Sequence, residues 1–245
     1  MKNLINPFFT KEGDGNDVLF LHGWGCDGSI FKSSCKLLDG FRLTFVDLWG
    51  FGNTPMPDEF KSGGMSVEDY ADGVADFICR NDFKNLTVVG HSFGGRIAVT
   101  LAAKYPLLLK KLVLVDAAGL RKKSLKRWLK VKRYKFLKRK AKRNEKAKEK
   151  LALYGSSDFK TLKDELRPTF FKAINQSLDG FARRVSVPTL LIYGEKDSDT
   201  PLWIAKRYRR LIKGSGLIVM DGCGHFCFLE KPKFFAAVLK SFLES

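Results

Sequence analysis

The sequence predicts an α/β fold with one mostly parallel central sheet, helices on both faces and an inserted helical lid. Along most of the 245 residues, apolar stretches of strand length alternate with amphipathic stretches of helix length, which is typical of parallel strands joined by crossover helices. The strand-length stretches are continuously apolar, as expected for strands that are buried on both faces. This alternation is interrupted between residues 119 and 185. We therefore expect residues 1–118 and 186–245 to form two parts of one core, and residues 119–185 to form the lid.

Six stretches are predicted to be strands because they are short apolar runs that lead into loops of glycine and polar residues. In chain order they are DVLFLHG (17–23), FRLTFVDLWGFGNT (41–54, including a glycine-rich loop), LTVVGH (86–91), KLVLVDAAG (111–119), PTLLIYGEKD (188–197) and GLIVMDGCGH (216–225). Parallel sheets of this kind bind ligands outside the carboxyl ends of their strands. The loops that follow these strands are therefore the places to search for functional residues.

Five stretches between the strands are predicted to be helices. They are SIFKSSCKLL (29–38), SVEDYADGVADFICR (66–80), SFGGRIAVTLAAKY (92–105), PLWIAKRYRRLI (201–212) and KPKFFAAVLKSFLES (231–245). Apolar residues recur at helical spacing in the second of these. Its first residue, Ser66, is followed three positions later by Asp69, a pattern typical of helix N-termini.

The composition predicts a cytoplasmic protein without a metal or cofactor. No apolar stretch is long enough to span a membrane, and the first 17 residues lack the apolar core and cleavage site of a signal peptide. The five cysteines are an odd number without a CxxC pair, which favours reduced thiols. Cys223 and Cys227 flank a histidine, but a zinc site there would need further ligands that the sequence does not offer nearby.

A candidate nucleophile lies in GHSFG, residues 90–94, between a predicted strand and a predicted helix. A G-x-S-x-G motif in this context is typical of a nucleophile elbow, a strained turn that exposes the serine hydroxyl. Side chains at Gly90 and Gly94 would clash with the neighbouring strand and helix. The sequence therefore identifies Ser92 as the candidate nucleophile.

The base that activates Ser92 must come from three histidines, His22, His91 and His225. His91 adjoins the serine in the elbow and should point elsewhere. His22 opens a loop, and we expect it to hold that loop by hydrogen bonds. His225 follows the sixth predicted strand and can reach over the strand ends, so we assign it as the base.

The imidazole of the base needs a carboxylate to fix its tautomer. Asp197, three residues beyond Gly194 in the loop after the fifth predicted strand, is the best-placed acid. Asp199 is the nearest alternative, and Asp116, after the fourth predicted strand, is a more distant one. Both alternatives stay open at this point.

The oxyanion of an acyl-transfer intermediate needs two N–H donors. We predict the backbone N–H of Phe93, directly after the nucleophile, and the backbone N–H of Trp24 in the HGWG loop. The Trp24 indole can in addition line an acyl pocket or be only structural.

Five motifs together resemble the α/β-hydrolase superfamily over nearly the whole chain outside the insertion. They are LHGWG, VDLWGFGNT, GHSFGG, GEKD and GCGHF. The order of nucleophile, acid and base along the chain is also the one expected for that superfamily. The motifs are similar to those of the small carboxylesterases typified by the methyl-ester esterase of biotin synthesis, which acts on an acyl group held by an acidic carrier protein.

GGRIA also resembles the elbow of a menaquinone-pathway enzyme that eliminates pyruvate from a carboxylate-rich substrate. This resemblance implies that Arg96 binds substrate carboxylates. Dehalogenases and epoxide hydrolases of the superfamily have an aspartate at the position of Ser92 and are disfavoured. Proline aminopeptidases have a different elbow and acidic lid residues, and they are disfavoured by the basic lid.

The net charge of +18 is concentrated in residues 121–150, which contain 17 lysines and arginines against two glutamates. Apolar residues recur there at steps of three and four, which predicts a basic amphipathic helix. Its apolar face, including Trp128, is expected to line the substrate pocket. Its charged face could bind an acidic protein or an anionic membrane surface, or be only solvated; nucleic acid is not expected as a partner.

The sequence as a whole predicts a serine hydrolase that cleaves a carboxylic ester or thioester through an acyl-enzyme. The substrate would be a small-molecule or carrier-bound acyl ester. One alternative is a lyase or C–C hydrolase that acts on a carboxylate-rich substrate with the same triad. The other is a non-catalytic binding module with a hydrolase fold, which would often lack one member of the triad.

Overall fold

The computed structural model describes residues 4–121 and 162–245, together with Arg133, Phe136, Arg139, Lys140 and Asn144. These residues contain a seven-stranded sheet in the order β1-β3-β2-β4-β5-β6-β7. The strands are β1 (Phe9–Glu12), β2 (Asn16–Leu21), β3 (Phe41–Val46), β4 (Thr87–His91), β5 (Lys111–Val115), β6 (Thr189–Gly194) and β7 (Gly216–Met220).

Six of these strands, β2 to β7, confirm the six predicted from apolar runs, and all pairings among these six strands are parallel. The first strand was not predicted. β1 lies at the edge of the sheet and pairs antiparallel with β3. The sheet is therefore mostly parallel, as the sequence indicated.

Eight α-helices lie within residues 4–121 and 162–245. They are α1 (Asp58–Lys61), α2 (Val67–Arg80), α3 (Ser92–Lys104), α4 (Arg167–Asn175), α5 (Asp179–Ala182), α6 (Leu202–Leu211), α7 (Cys227–Glu230) and α8 (Pro232–Glu244). α2 begins with the capping box that its sequence predicts: Ser66 and Asp69 bond reciprocally to each other's backbone N–H. The first predicted helix is instead a 3-10 helix, Gly28–Cys35. None of the described helices is both long enough and apolar enough to cross a membrane.

The sheet separates two hydrophobic clusters, because alternate residues of its buried strands face opposite sides. We call them the first and the second core cluster. The first contains the buried faces of α2, α3 and α6. The second is smaller and contains the buried residues of the 3-10 helix Gly28–Cys35, α7 and α8. Helices thus cover both faces, as predicted.

The described C-terminal end of the predicted insertion packs against the core. The Met65 N–H donates to Thr169 Oγ1 at 2.9 Å, and Lys172 Nζ donates to the Gly64 carbonyl at 2.7 Å. These bonds anchor α4 to the turn before α2. Trp128 and most of the basic segment lie outside the described residues, so the boundaries and pocket-lining role of the lid stay predictions.

Candidate active site

Ser92 lies in a sharp turn at the carboxyl end of β4. β4 ends at His91 and α3 begins at Ser92, so the predicted strand–turn–helix context of the motif is confirmed. Ser92 has φ +49°, in the left-handed region that costs a non-glycine residue about 1–3 kcal/mol. A methyl group at Gly94 would lie 2.0 Å from the Leu21 carbonyl oxygen, and one at Gly90 would lie 2.6 Å from the Gly94 carbonyl oxygen. The glycines therefore allow the close approach that the turn requires.

The structure brings Ser92, His225 and Asp197 together from the ends of β4, β7 and β6. His225 Nε2 lies 3.0 Å from Ser92 Oγ, and His225 Nδ1 lies 2.7 Å from Asp197 Oδ2. The carboxylate can only accept, so Nδ1 carries the proton in this arrangement. Nε2 is then left with a lone pair that faces the serine hydroxyl, which is the geometry of a general base.

Asp197 is buried and is held by three hydrogen-bond donors besides His225. Its Oδ1 accepts the N–H groups of Asp199 at 2.7 Å and Thr200 at 2.9 Å, and its Oδ2 accepts the Thr200 hydroxyl at 2.5 Å. Burial raises the pKa of this carboxyl, but the bonds from His225 and Thr200 outweigh burial and lower the pKa to about 2. Asp197 is therefore ionised at neutral pH. Sequence reasoning missed Thr200, because a threonine three residues from an acid carries no distinctive signal.

The pKa of His225 is shifted in the opposite direction. Burial lowers it, but the hydrogen bond and the negative charge of Asp197 outweigh burial, so that the pKa is raised above the ordinary value of 6.5. A raised pKa favours the imidazolium that forms when the base takes a proton.

The two alternative acids occupy other positions. Asp199 is exposed, and its backbone N–H supports Asp197. Asp116 is fully buried at the end of β5, where its Oδ1 accepts the Gly194 N–H at 2.8 Å, and burial raises its pKa to about 7. Neither side chain is hydrogen-bonded to His225. Of the three candidates, only Asp197 has the geometry of the orienting acid.

His22 is buried and holds the loop after β2, as predicted. Its Nδ1–H donates to the Gly23 carbonyl at 2.8 Å, and its Nε2 accepts the Leu48 N–H at 2.9 Å. Burial lowers the pKa of His22, so the ring is neutral and both bonds are retained. His91 points away from the serine hydroxyl and toward the main chain of His225, a contact that the sequence did not indicate.

Phe93 and Trp24 are adjacent in the structure. Their rings meet edge to face with centroids 5.1 Å apart, and the Gly94 N–H donates to the His22 carbonyl at 3.0 Å, which joins their loops. Within residues 4–121 and 162–245, neither backbone N–H has a hydrogen-bond acceptor. The Phe93 N–H is also in the first turn of α3, where the helix dipole favours negative charge. This arrangement is compatible with an oxyanion hole formed by the Phe93 and Trp24 N–H groups, and that role stays a prediction.

The Trp24 indole belongs to an aromatic cluster that we call the Trp24 cluster: Trp24, Phe51, Phe93 and Phe170. The Trp24 ring contacts Phe51 at 5.0 Å and Phe170, on α4, at 5.2 Å between centroids. The described part of the insertion therefore reaches the loop after β2 and gives this side of the site an apolar wall.

Arg96 has a structural partner. Its Nη1 donates to the carbonyl oxygens of Ala173 at 2.8 Å and Gln176 at 3.5 Å, at the C-terminal end of α4. A cation near the C-terminal end of a helix also interacts favourably with the negative end of the helix dipole. The carboxylate-binding role that resemblance implied for Arg96 stays a prediction, and it would require the guanidinium to leave or share these carbonyls.

One group of potential metal ligands is present in the described part of the chain: Asp197, Asp199 and His225, whose ligand atoms lie within 4.8 Å of one another. The oxygens of Asp197 already accept N–H and O–H donors, and the His225 nitrogens face Asp197 and Ser92. The arrangement is better explained as a proton relay than as a cation site. Burial raises the pKa of the Cys227 thiol, which disfavours a zinc thiolate there.

The chain is similar to known proteins in sequence and in fold. The model of the alpha/beta hydrolase family matches residues 18–238. The pimeloyl-[acyl-carrier protein] methyl ester esterase of Neisseria meningitidis serogroup A is 27% identical, over 93% of this chain and 76% of that protein. The 2-hydroxy-6-oxo-6-(2'-aminophenyl)hexa-2,4-dienoic acid hydrolase of Metapseudomonas resinovorans is 27% identical, over 98% of this chain and 88% of that protein. The solved esterase from Exiguobacterium antarcticum superposes with a TM-score of 0.74 at 23% identity, over 97% of this chain and 95% of that chain, and shares the fold.

Proposed function

The chain belongs to the alpha/beta hydrolase family, and on that premise we propose that it is a serine hydrolase that cleaves a carboxylic ester or thioester through an acyl-enzyme. The observation that carries the proposal is the continuous relay of Ser92 Oγ, His225 Nε2, His225 Nδ1 and Asp197 Oδ2, with separations of 3.0 and 2.7 Å. A serine hydroxyl is a weak nucleophile without such a base. A non-catalytic module would have no need of an intact relay or of a strained serine.

The reaction follows from the positions of the protons. Ser92 Oγ attacks the carbonyl carbon of the substrate while its proton passes to His225 Nε2. The N–H groups of Phe93 and Trp24 hold the oxyanion of the tetrahedral intermediate. His225 then returns the proton to the leaving alcohol or thiol as the C–O or C–S bond breaks. Water, deprotonated by the same nitrogen, attacks the acyl-enzyme and releases the carboxylic acid and free Ser92.

The Trp24 cluster supports an apolar acyl group as the bound part of the substrate. Its rings line the side of the site that contains the Trp24 and Phe93 N–H groups. Apolar walls with a few convergent polar donors are typical of small-molecule sites. The similarity to a methyl ester esterase favours an ester over other acyl derivatives.

A second candidate function is the hydrolysis of a C–C bond, favoured by the similarity to the Metapseudomonas hydrolase. The same triad would serve, but such a carboxylate-bearing substrate would need a cation in the site. Arg96 is the cation that resemblance suggested, and its bonds to the Ala173 and Gln176 carbonyls favour the esterase instead. Elimination of a carboxylate-rich substrate is disfavoured for the same reason.

The basic segment 121–150 supports an anionic partner as a further part of the proposal. The partner would be an acidic acyl carrier or an anionic lipid surface, brought to the entrance of the site by charge. Its effect on association rate should disappear at high salt. Replacement of Lys135, Lys138, Arg139 and Lys142 by glutamine should weaken action on such a substrate and leave a small neutral ester unaffected.

A fluorophosphonate probe and a series of p-nitrophenyl esters of graded chain length test the catalytic proposal. The wild-type protein should be labelled covalently and should hydrolyse the esters, and Ser92→Ala should lose both properties. Labelling or turnover that survives in Ser92→Ala would refute the assignment. Labelling without turnover of any ester, combined with cleavage of a carboxylate-bearing vinylogous diketone, would favour the C–C hydrolase.

A further inference from the structure

The histidine that directly precedes the nucleophile is buried against the main chain of the base. His91 is 1% exposed and is the last residue of β4. Its Nε2 lies 2.9 Å from the His225 carbonyl oxygen. A carbonyl accepts only, so Nε2 carries the proton and donates. In the described ranges of the chain, the His225 main chain has no other hydrogen-bond partner.

The ring of His91 also makes close contacts on the same side. Its centroid is 4.9 Å from that of His225, 5.1 Å from Phe226 and 5.0 Å from Phe228. On its other side lies the loop after β2: a methyl group at Gly23 would approach His91 Nδ1 to 2.7 Å. His91 therefore fills the space between the loop that carries Trp24 and the turn that carries His225.

The hydrogen bond joins two parts of the sheet that have no direct pairing. β4 and β7 are separated by β5 and β6, so backbone pairing alone does not set the position of the turn after β7 relative to Ser92. Asp197 orients the imidazole of His225 through Nδ1 but leaves its main chain free. The His91 donor fixes the His225 main chain relative to Ser92, because His91 and Ser92 are neighbours in the chain.

His91 does this without adding charge. Burial and the neighbouring His225 lower its pKa, the bond to the His225 carbonyl and the charge of Asp197 offset only part of this, and the pKa is about 3. The ring is neutral across the working pH range, so it does not oppose protonation of His225 during the reaction. A lysine or arginine there would place a cation beside the imidazolium.

We propose that His91 is a positioning residue: its Nε2–H fixes the His225 main chain so that the imidazole is within reach of both Ser92 Oγ and Asp197. The inference rests on the proposed serine-hydrolase function. A displacement of about 1 Å in a reacting group can reduce the rate by roughly 10²-fold. Loss of this donor should therefore act on kcat and leave KM nearly unchanged, because His91 is buried and faces the His225 main chain.

The test compares His91→Phe, which keeps an aromatic ring but has no donor, with His91→Gln, whose side-chain N–H can replace Nε2–H. Hydrolysis of a short p-nitrophenyl ester should fall by about 10- to 100-fold in kcat for His91→Phe. His91→Gln should recover most of the loss. Thermal unfolding of each variant checks the fold, and if His91→Phe does not fold, His91→Met replaces it as the variant without a donor.

The pH profile distinguishes positioning from a general loss of stability. Activity needs neutral His225, so the acid limb of kcat/KM reports its pKa. The groups that face His225 are Asp197 and Asp199 from the loop after β6, Asp116 from the end of β5, and neutral His91. In His91→Phe the imidazole is held less closely to Asp197, so its pKa falls and the acid limb moves to lower pH.

The outcomes separate this inference from the proposed function. An active wild type, an inactive Ser92→Ala and a His91→Phe variant with wild-type kcat and an unshifted acid limb would overturn the positioning role alone. An equal loss in His91→Phe and His91→Gln would also overturn it, because the donor would then be irrelevant. Activity that survives in Ser92→Ala would overturn the proposed function instead.

Discussion

Replacement of Asp197 by asparagine is expected to inactivate the enzyme through the tautomer of His225. Asp197 Oδ1 accepts two backbone N–H groups, at 2.7 and 2.9 Å. An asparagine must keep its carbonyl oxygen toward those donors, which turns its NH₂ group toward His225. That group donates, so Nδ1 of His225 has to accept and the proton moves to Nε2. Nε2 can then no longer accept the proton of Ser92 Oγ, even though every heavy atom keeps its place.

The size of the effect follows from this reversal. Loss of the correct tautomer in a serine triad costs about 10⁴-fold in kcat, or about 5 kcal/mol in the activation barrier. The folded state also loses the stabilisation of the ionised carboxylate, whose pKa is lowered from 3.8 to about 2 in Asp197, a shift that corresponds to roughly 2 kcal/mol above pH 4. That contribution is present above the unfolded pKa and disappears as the pH falls through the folded pKa.

The assay is steady-state hydrolysis of a p-nitrophenyl ester at pH 8, with unfolding by urea to measure stability. Asp199→Asn is the matched control, because the hydrogen bond from Asp199 to Asp197 comes from its backbone N–H and its side chain is exposed. It should retain wild-type activity. An Asp197→Asn variant within about tenfold of wild type would refute the tautomer argument. An inactive Asp116→Asn or Asp199→Asn beside an active Asp197→Asn would show that another carboxylate orients the base.

Three further variants test single contacts. Thr200→Val removes the hydroxyl that donates to Asp197 Oδ2, so the pKa of the Asp197 carboxyl should rise. The value of kcat should fall about tenfold, since such a bond is worth at least about 1.5 kcal/mol. An unchanged kcat would show that Thr200 is dispensable. Gly94→Ala places a methyl group 2.0 Å from a main-chain oxygen and should lower the unfolding free energy by about 3 kcal/mol in urea titrations, whereas Gly180→Ala, on open surface, should not. Phe170→Ala removes one wall of the Trp24 cluster and should raise KM for long acyl chains more than for acetate; equal effects on both would exclude Phe170 from acyl binding.

The strands that the sequence predicted are continuous apolar runs. In β2 to β6 the run reflects burial, because each of these strands has a neighbour on both sides and lies between the two core clusters. β7 is also an apolar run, although it lies at an edge of the sheet and only Met220 in it is buried. β1 is not such a run: FTKE is four residues long, half of it is exposed, and its pairing with β3 is antiparallel at an edge. The segment Gly28–Cys35 has helical spacing of apolar residues, and that spacing does not distinguish a 3-10 helix from an α-helix.

The candidate site divides in the same way between local motifs and long-range contacts. Ser92 and His225 could be assigned from the residues around them, because an elbow and a strand-end loop are local features. Thr200, His91 and Arg96 act through partners that lie on other elements or at an unmarked spacing. His91 donates to a carbonyl 134 positions away, and Arg96 donates to a carbonyl 77 positions away. The residues around either partner do not indicate such a pairing.

The division of the core into two clusters has a consequence for how the enzyme loses activity on heating. His225 is followed directly by α7 and α8, whose buried residues lie in the second, smaller core cluster, whereas Ser92 begins α3, which packs in the first. Partial opening of a protein separates units that are stabilised by different contacts. Undocking of α7 and α8 would withdraw the base from a nucleophile that stays folded. The partly opened enzyme would be inactive at a temperature at which the central sheet is still folded. It would regain activity when the C-terminal unit of α7 and α8 packs back against the core.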